Sequence, residues 1–174
     1  AAARGGGPRE GARAIALGGA YTAYGDDITA IHFNPAGLAE ITGRQGAVGY
    51  QDYVAGINSG FIGYATPLDS GRILCGYAIY TTYGEFIRTN VMGEELGTFG
   101  ASNMILGGAY AHRLSPRFTM GASAKLIYRK LDTYTATGSA LDLGAKYVFA
   151  QPIRRSWRRS GEGSVGASVR NLGA

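Results

Sequence analysis

From residue 45 onward the chain repeats one pattern. Segments of roughly 9 to 11 residues, in which apolar side chains alternate with small or polar ones, are separated by turn residues. In the segment 117–131, Phe118, Met120, Ala122, Ala124, Leu126 and Tyr128 share one face, opposite Thr119, Gly121, Ser123, Lys125 and Arg129. In 138–149, Leu141, Leu143, Ala145, Tyr147 and Phe149 oppose Asp142, Gly144 and Lys146; in 163–173, Val165, Ala167 and Val169 oppose Ser164, Gly166, Ser168 and Arg170. A period of two puts successive side chains on opposite faces of a strand. The chain must therefore build an antiparallel sheet with one apolar face. No run of about 18 apolar residues exists, so no transmembrane helix is expected, but a closed barrel crosses a bilayer with strands this weakly marked.

Composition favours the barrel over a soluble sheet. Glycine occurs 29 times and tyrosine 12 times, and only 17% of residues are charged. The apolar faces are rich in alanine and aromatics. The polar faces crowd glycine and serine beside opposite charges, as a filled lumen would. The alternation predicts strands at 45–54, 57–66, 72–83, 102–114, 117–131, 138–149 and 163–173. Tight turns at 67–71 (PLDSG) and 114–117 (LSPR) contrast with a long polar stretch at 84–101, GEFIRTNVMGEELGTFGA. Barrels of the bacterial outer membrane alternate short periplasmic turns with longer external loops, which places 84–101 outside. Such barrels have even strand numbers, and seven strands imply the N-terminal part of a longer barrel.

Several function classes are excluded. The single Cys75 permits neither an internal disulfide nor a multi-cysteine metal site. The formal charge of +5 is concentrated in RRSWRR at 154–159. This short arginine cluster around Trp157 reads as a solvated loop, or as an anchor at lipid headgroups; nucleic-acid binding would need a basic face interleaved with stacking aromatics. His112 has no partner at ligand spacing, so no metal is expected. No nucleophile elbow, phosphate loop or triad is present, and neither an enzyme nor a cofactor is expected.

The stretch ahead of the strands does not fit a plain sheet. Residues 1–10 read as a flexible mature N-terminus with no signal peptide in the chain, and 11–43 as a separate segment before the barrel strands of 44–174. GARAIALGGAY can form a short helix. Asp26 and Asp27 can cap the next turn, with Thr29 as a competing cap. Pro35 keeps Asn34 out of the helical region, so Asn34-Pro35-Ala36-Gly37 reads as a rigid turn between two apolar runs. Such a segment packs inside something, and the lumen is the available place. His32, within the first run, is read either as a packed core residue or as a gating or ligand residue. Lys125, Arg129, Asp142, Lys146 and Arg170 are expected to form charge pairs in the lumen.

The stretch GARAIALGGAYTAYGDDITAIHFNPAGLAEI, with GASNMILGGAYAHRLSPRFTMGASAKLIYRKLD at 100–132, ALDLGAKY at 140–147 and VGASVRNLG at 165–173, resembles the PorV/PorQ group of outer-membrane proteins, relatives of the FadL long-chain fatty acid transporters. The resemblance covers nearly the whole chain after residue 10. It implies a barrel of about fourteen strands with an N-terminal hatch in the lumen, a bacterial outer-membrane location in contact with lipid, and no catalysis. By position, Asp26 and Asp27 match the acidic pair of the hatch, and Asn34, Pro35, Ala36 and Gly37 its NPA turn. Two functions follow. One is binding of cargo or secretion-system proteins, as in type IX secretion, with Phe86, Ile87, Val91, Met92 and Leu96 of the 84–101 loop as contact surface. The other is passive transport of hydrophobic small molecules, with Phe33 and Leu38 as ligand contacts.

Overall fold

The computed structural model describes residues 11–69, 71–151 and 161–173. Seven strands form one antiparallel sheet in chain order: β1 (Gln45–Asp52), β2 (Asn58–Asp69), β3 (Arg72–Thr89), β4 (Glu95–Ser115), β5 (Phe118–Leu131), β6 (Tyr134–Gln151) and β7 (Gly161–Leu172). Before them come a short helix α1 (Ala12–Ala16) and two 3-10 helices, η1 (Ile28–His32) and η2 (Pro35–Glu40); a third, η3 (Val54–Gly56), joins β1 to β2. No described helix is long and apolar enough to cross a membrane. The arginine-rich segment 154–159 and residues 1–10 lie outside the described residues.

The sheet is clothed the opposite way from a soluble one. Its polar, glycine-rich face carries η1 and η2, and there Ser59, Thr81, Thr119, Ser123 and Asp142 are buried. Its apolar face is bare: Val48, Ile62, Leu74, Leu106, Leu126, Leu143 and Val165 are all exposed, as are Tyr50, Tyr64, Tyr80, Tyr110, Tyr128 and Tyr147. This exposed apolar band does not follow the hydrogen-bonded rungs. The rung through Val48, Ile62, Ala78, Leu106 and Leu126 ends on β6 at polar Ser139. The apolar residues of β6 lie further along, with Leu143 on the rung of Leu74 and Tyr110, and Tyr147 opposite Phe118. The band thus runs diagonally across the sheet.

The long loop expected at 84–101 is corrected by the structure. β3 and β4 continue through it as a hairpin, with Glu85 opposite Gly100, Phe86 opposite Phe99, Ile87 opposite Thr98 and Arg88 opposite Gly97. Only residues 90–94 turn. A bulge between Thr82 and Glu85 admits one extra residue on β3, with Gly84 at φ 73°. The stretch is polar because it extends beyond the apolar band, not because it is irregular. Similarly, β6 begins at Tyr134 rather than 138, which leaves a tight turn in which Asp132 takes the left-handed conformation, φ 56°.

The core sits between the hatch and the sheet. Ile28, Ile31, Leu38, Ala39 and Ile41 pack against Phe61, Ala65, Ile73, Cys75, Ala109 and Ala111. We predict that Ile73→Ala, in this core, lowers stability by about 2–4 kcal/mol in denaturant unfolding, whereas Leu126→Ala on the bare face costs well under half of that.

Candidate functional site: the hatch and its seat

The hatch is organised by its two caps. Asp27, extended at φ −134°, caps η1 by accepting from Thr29 N–H (2.9 Å) and Thr29 Oγ1 (2.6 Å); Thr29 serves this cap and does not compete with it. The same carboxylate accepts from Tyr21 Oη (2.8 Å) and Arg13 Nη1 (3.0 Å), and Asp26 pairs with Arg13 at 2.6 Å. Burial works to raise the Asp27 pKa, but the hydrogen bonds from Thr29, Tyr21 and Arg13 outweigh it and hold the carboxyl below its usual range. Burial and the bond to Asp27 push the Tyr21 phenol up to about 12. Hydrogen bonds to Asp26 and Tyr24 raise the Arg13 guanidinium further above its ordinary value. The pair Asp26 and Asp27 thus closes α1 onto η1 as one folded unit.

Asn34 makes the second cap and fixes that unit to the sheet. Its backbone is extended at φ −154°, as the following Pro35 demands, and its Oδ1 accepts from Ala36 N–H at 3.0 Å to start η2. Its Nδ2 donates to the carbonyl oxygens of Thr22 (2.8 Å) and Ala145 (2.9 Å). One side chain, 1% exposed, therefore ties two parts of the hatch to β6.

Glycines make this approach possible. A Cβ on Gly144 would fall on Asn34 Oδ1, one on Gly121 on the Pro35 carbonyl, and one on Gly166 on the Thr22 carbonyl. Gly121 and Gly144 face each other across β5 and β6, and Gly166 faces Lys146 two residues further along β6. Within the hatch, Gly37 lets η2 close on Gly25: a Cβ there would stand 2.8 Å from the Gly25 carbonyl oxygen.

Side chains of the wall take up the remaining hatch carbonyls. Ser164 Oγ donates to Ala23 O (3.0 Å), Ser168 Oγ to Phe33 O (2.8 Å) and Arg170 to His32 O. On β4, Arg113 donates to Ala39 O (2.9 Å) and to Glu40 (2.8 Å), and Lys146 lies 3.5 Å from the same Glu40 carboxylate. Beneath the hatch, Lys125 Nζ pairs with Asp142 at 2.7 Å. Asp142 also accepts from Ser123 Oγ (3.2 Å) and from Asn171 N–H (2.7 Å), turned inward where β7 bulges between the partners of Leu141 and Leu143.

Of the residues singled out from the sequence, Asp26, Asp27, Asn34, Pro35, Ala36 and Gly37 meet in this site. Lys125 and Asp142 pair with each other, Lys146 with Glu40, and Arg170 holds a backbone carbonyl; Arg129 makes no ion pair among the described residues. Phe33 is 4% and Leu38 0% exposed, the first packed with Tyr21, Ala14 and Ala30 and the second in the hatch–sheet core. Phe86, Ile87, Val91, Met92 and Leu96 lie far along the β3–β4 hairpin, all exposed, with Val91 and Met92 at its tip 103% and 82% accessible. His32 is packed edge-on against Phe61 (4.9 Å) and Tyr77 (6.3 Å). Burial, reinforced by Lys125 and Arg170, pushes its imidazole down to about 4. Among the described residues no group of acidic, histidine and cysteine side chains could hold a metal.

Sequence reasoning had not assigned the glycine seat, the serines of β7, or Arg13, Glu40 and Arg113. A signal for the seat was present: Gly121, Gly144 and Gly166 fall on the polar face, where a strand in contact with nothing would gain from a larger side chain. No family model matches the chain, and no curated protein matches it.

Two substitutions separate shape from hydrogen bonding. Asn34→Asp keeps the outline but removes both donated bonds and adds a buried charge. We expect it to unseat the hatch at a cost of about 2–4 kcal/mol. Gly144→Val should do so by volume alone. The buried Cys75 reports the outcome: both variants should raise its thiol labelling rate at neutral pH at least tenfold, on the order expected for about 1.4 kcal/mol or more.

Proposed function

We propose that this chain forms part of an outer-membrane β-barrel of the PorV/PorQ type, which binds partner or cargo proteins of a secretion machine at the cell surface, its lumen closed by the hatch. Three features support the barrel. The bare face is apolar, whereas the covered face joins an apolar core under the hatch to buried serine, threonine and paired charges, as a wall between lipid and a filled lumen would. The apolar band crosses the rungs diagonally, the pattern expected of strands tilted against a bilayer normal. On β5 this band has Phe118 at one end and Tyr128 at the other, ten residue steps apart. At ~3.4 Å per step and a tilt of about 40°, that spans ~26 Å, close to the ~25 Å apolar height of such barrels. β1 and β7 are the two edges of the sheet; in this reading further strands, to a total of about fourteen, close the wall between them.

The observation that supports binding over transport is where accessible apolar surface lies. Phe33 and Leu38, which would line a route for a hydrophobic solute, are sealed, and the hatch is fixed to β4, β6 and β7 by hydrogen bonds. In contrast, Phe86, Ile87, Val91, Met92 and Leu96 are exposed on a hairpin that continues past the aromatic rung of Tyr80 and Tyr128. The hairpin is braced. Phe86 stacks on Phe99 at 5.4 Å, Arg88 pairs with Asp132 of the neighbouring turn, and Asn90 Oδ1 accepts from Met92 N–H (2.9 Å) and Glu94 N–H (3.0 Å) across the tip. A braced projection that presents apolar side chains among polar ones lowers the entropic cost of docking a protein.

A photo-crosslinking amino acid placed at Met92, in cells that carry the full-length protein, tests this reading. Capture of one defined polypeptide at Met92, with lipid alone captured from Met120, is the expected result. Lipid or small-molecule adducts alone at Met92 would overturn the partner-binding role.

A further inference from the structure

His32 is a titratable residue of the hatch whose ring lies against the seat with an unpaired buried nitrogen. Its Nε2 is enclosed and has no hydrogen-bond partner among the described residues, and its ring is wedged against Phe61 and Tyr77. The peptide carbonyl of the same residue is held by Arg170 of β7. A neutral imidazole fits this place, and an imidazolium does not.

The surroundings offer a proton no compensation. η1 packs on η2, β1 and β2, and from β1 and β2 the residues on the hatch side, Ala47, Phe61 and Gly63, carry no charge. From η2, Glu40 is shared by Arg113 and Lys146. On β3 the facing titratable groups are Tyr77 and Cys75, both neutral at ordinary pH. β5 presents Lys125, β7 presents Arg170, and the carboxylate of Asp142 on β6 is already taken by Lys125, Ser123 and Asn171. On its own element, Asp27 is engaged by Arg13, Tyr21 and Thr29. Protonation would thus add a positive charge beside two others, on a ring whose Nε2 is enclosed without a hydrogen-bond partner among the described residues.

We infer that His32 is an acid-sensitive release for the hatch: protonation of its ring expels η1 from the seat while the sheet stays folded. The sign follows from linkage. The seated imidazole is held below its unfolded value of 6.5, so the released state binds more protons between that value and about 4. The His32 contribution to the seat is at full strength above this window, weakens as pH falls through it, and levels off below. The inference rests on residues 11–43 acting as a hatch.

Cys75, in the core beneath η1 and η2, reads the release directly. The full-length protein in detergent is labelled with a pyridyl disulfide, which reacts with thiols in acid, and compared at each pH with His32→Phe so that intrinsic reactivity cancels. The wild-type rate relative to His32→Phe should rise at least about tenfold between about pH 7 and about pH 4.5, with the far-ultraviolet circular dichroism of the sheet unchanged. His32→Asn, which also cannot titrate, replaces the phenylalanine variant if that fails to fold. A ratio that stays flat overturns the release mechanism. Rapid labelling of the wild type already at neutral pH would instead show that there is no seated hatch to release.

Discussion

The structure depends on a place where a side chain reaches a bare backbone. Asn34 can donate to the carbonyl of Ala145 only because β5, β6 and β7 present glycine at 121, 144 and 166 under the NPA turn. Without those glycines the hatch would ride a side chain's thickness higher, and Asn34, Ser168 and Arg170 would not reach their partners. Extended backbone at Asn34 and Pro35 at the first position of η2 set the angle at which the turn enters. The hatch is thereby held through main-chain carbonyls at β6 and β7, in addition to the apolar core that packs it on β2, β3 and β4.

This seat explains the inversion of the sheet. The face that receives the segment is apolar on β2, β3 and one end of β4, where the core packs, and is lined with glycine, serine, threonine and paired charges on β5, β6 and β7; among the described residues the buried Asp142 and Lys146 each have a partner. The pair Lys125–Asp142 would be costly to desolvate alone, but Ser123 and the inward-turned amide of Asn171 complete the coordination of the carboxylate. The bulge and left-handed backbone at Asn171 belong to that arrangement. The exposed apolar side chains lie on the other face, which in the proposed barrel meets lipid.

Much of this was legible from the chain. Alternation located the strand centres, because the two faces meet different surroundings along every strand, and Pro35 after Asn34 marked the turn. Strand ends were less legible. Beyond the apolar band both faces of β3 and β4 lose their contrast, so the run from Glu85 to Gly100 read as a loop although cross-strand pairs continue through it. The partners of Asp26 and Glu40 were hidden for another reason. Arg13 and Arg113 are distant in sequence, and only the folded path of the hatch brings them together.

The central claim is that one face of this sheet meets lipid while the other holds the hatch. Spin labels placed singly at positions 119 to 126 of the full-length protein in bilayers test it most directly, by collision with oxygen, which partitions into lipid, and with a polar nickel chelate, which does not. The account predicts a period of two: high oxygen and low chelate accessibility at positions 120, 122, 124 and 126, and low accessibility to both at 119, 123 and 125, with 121 left out because a side chain there would displace the Pro35 carbonyl. High chelate accessibility at the even positions would place the apolar face in water and contradict the account.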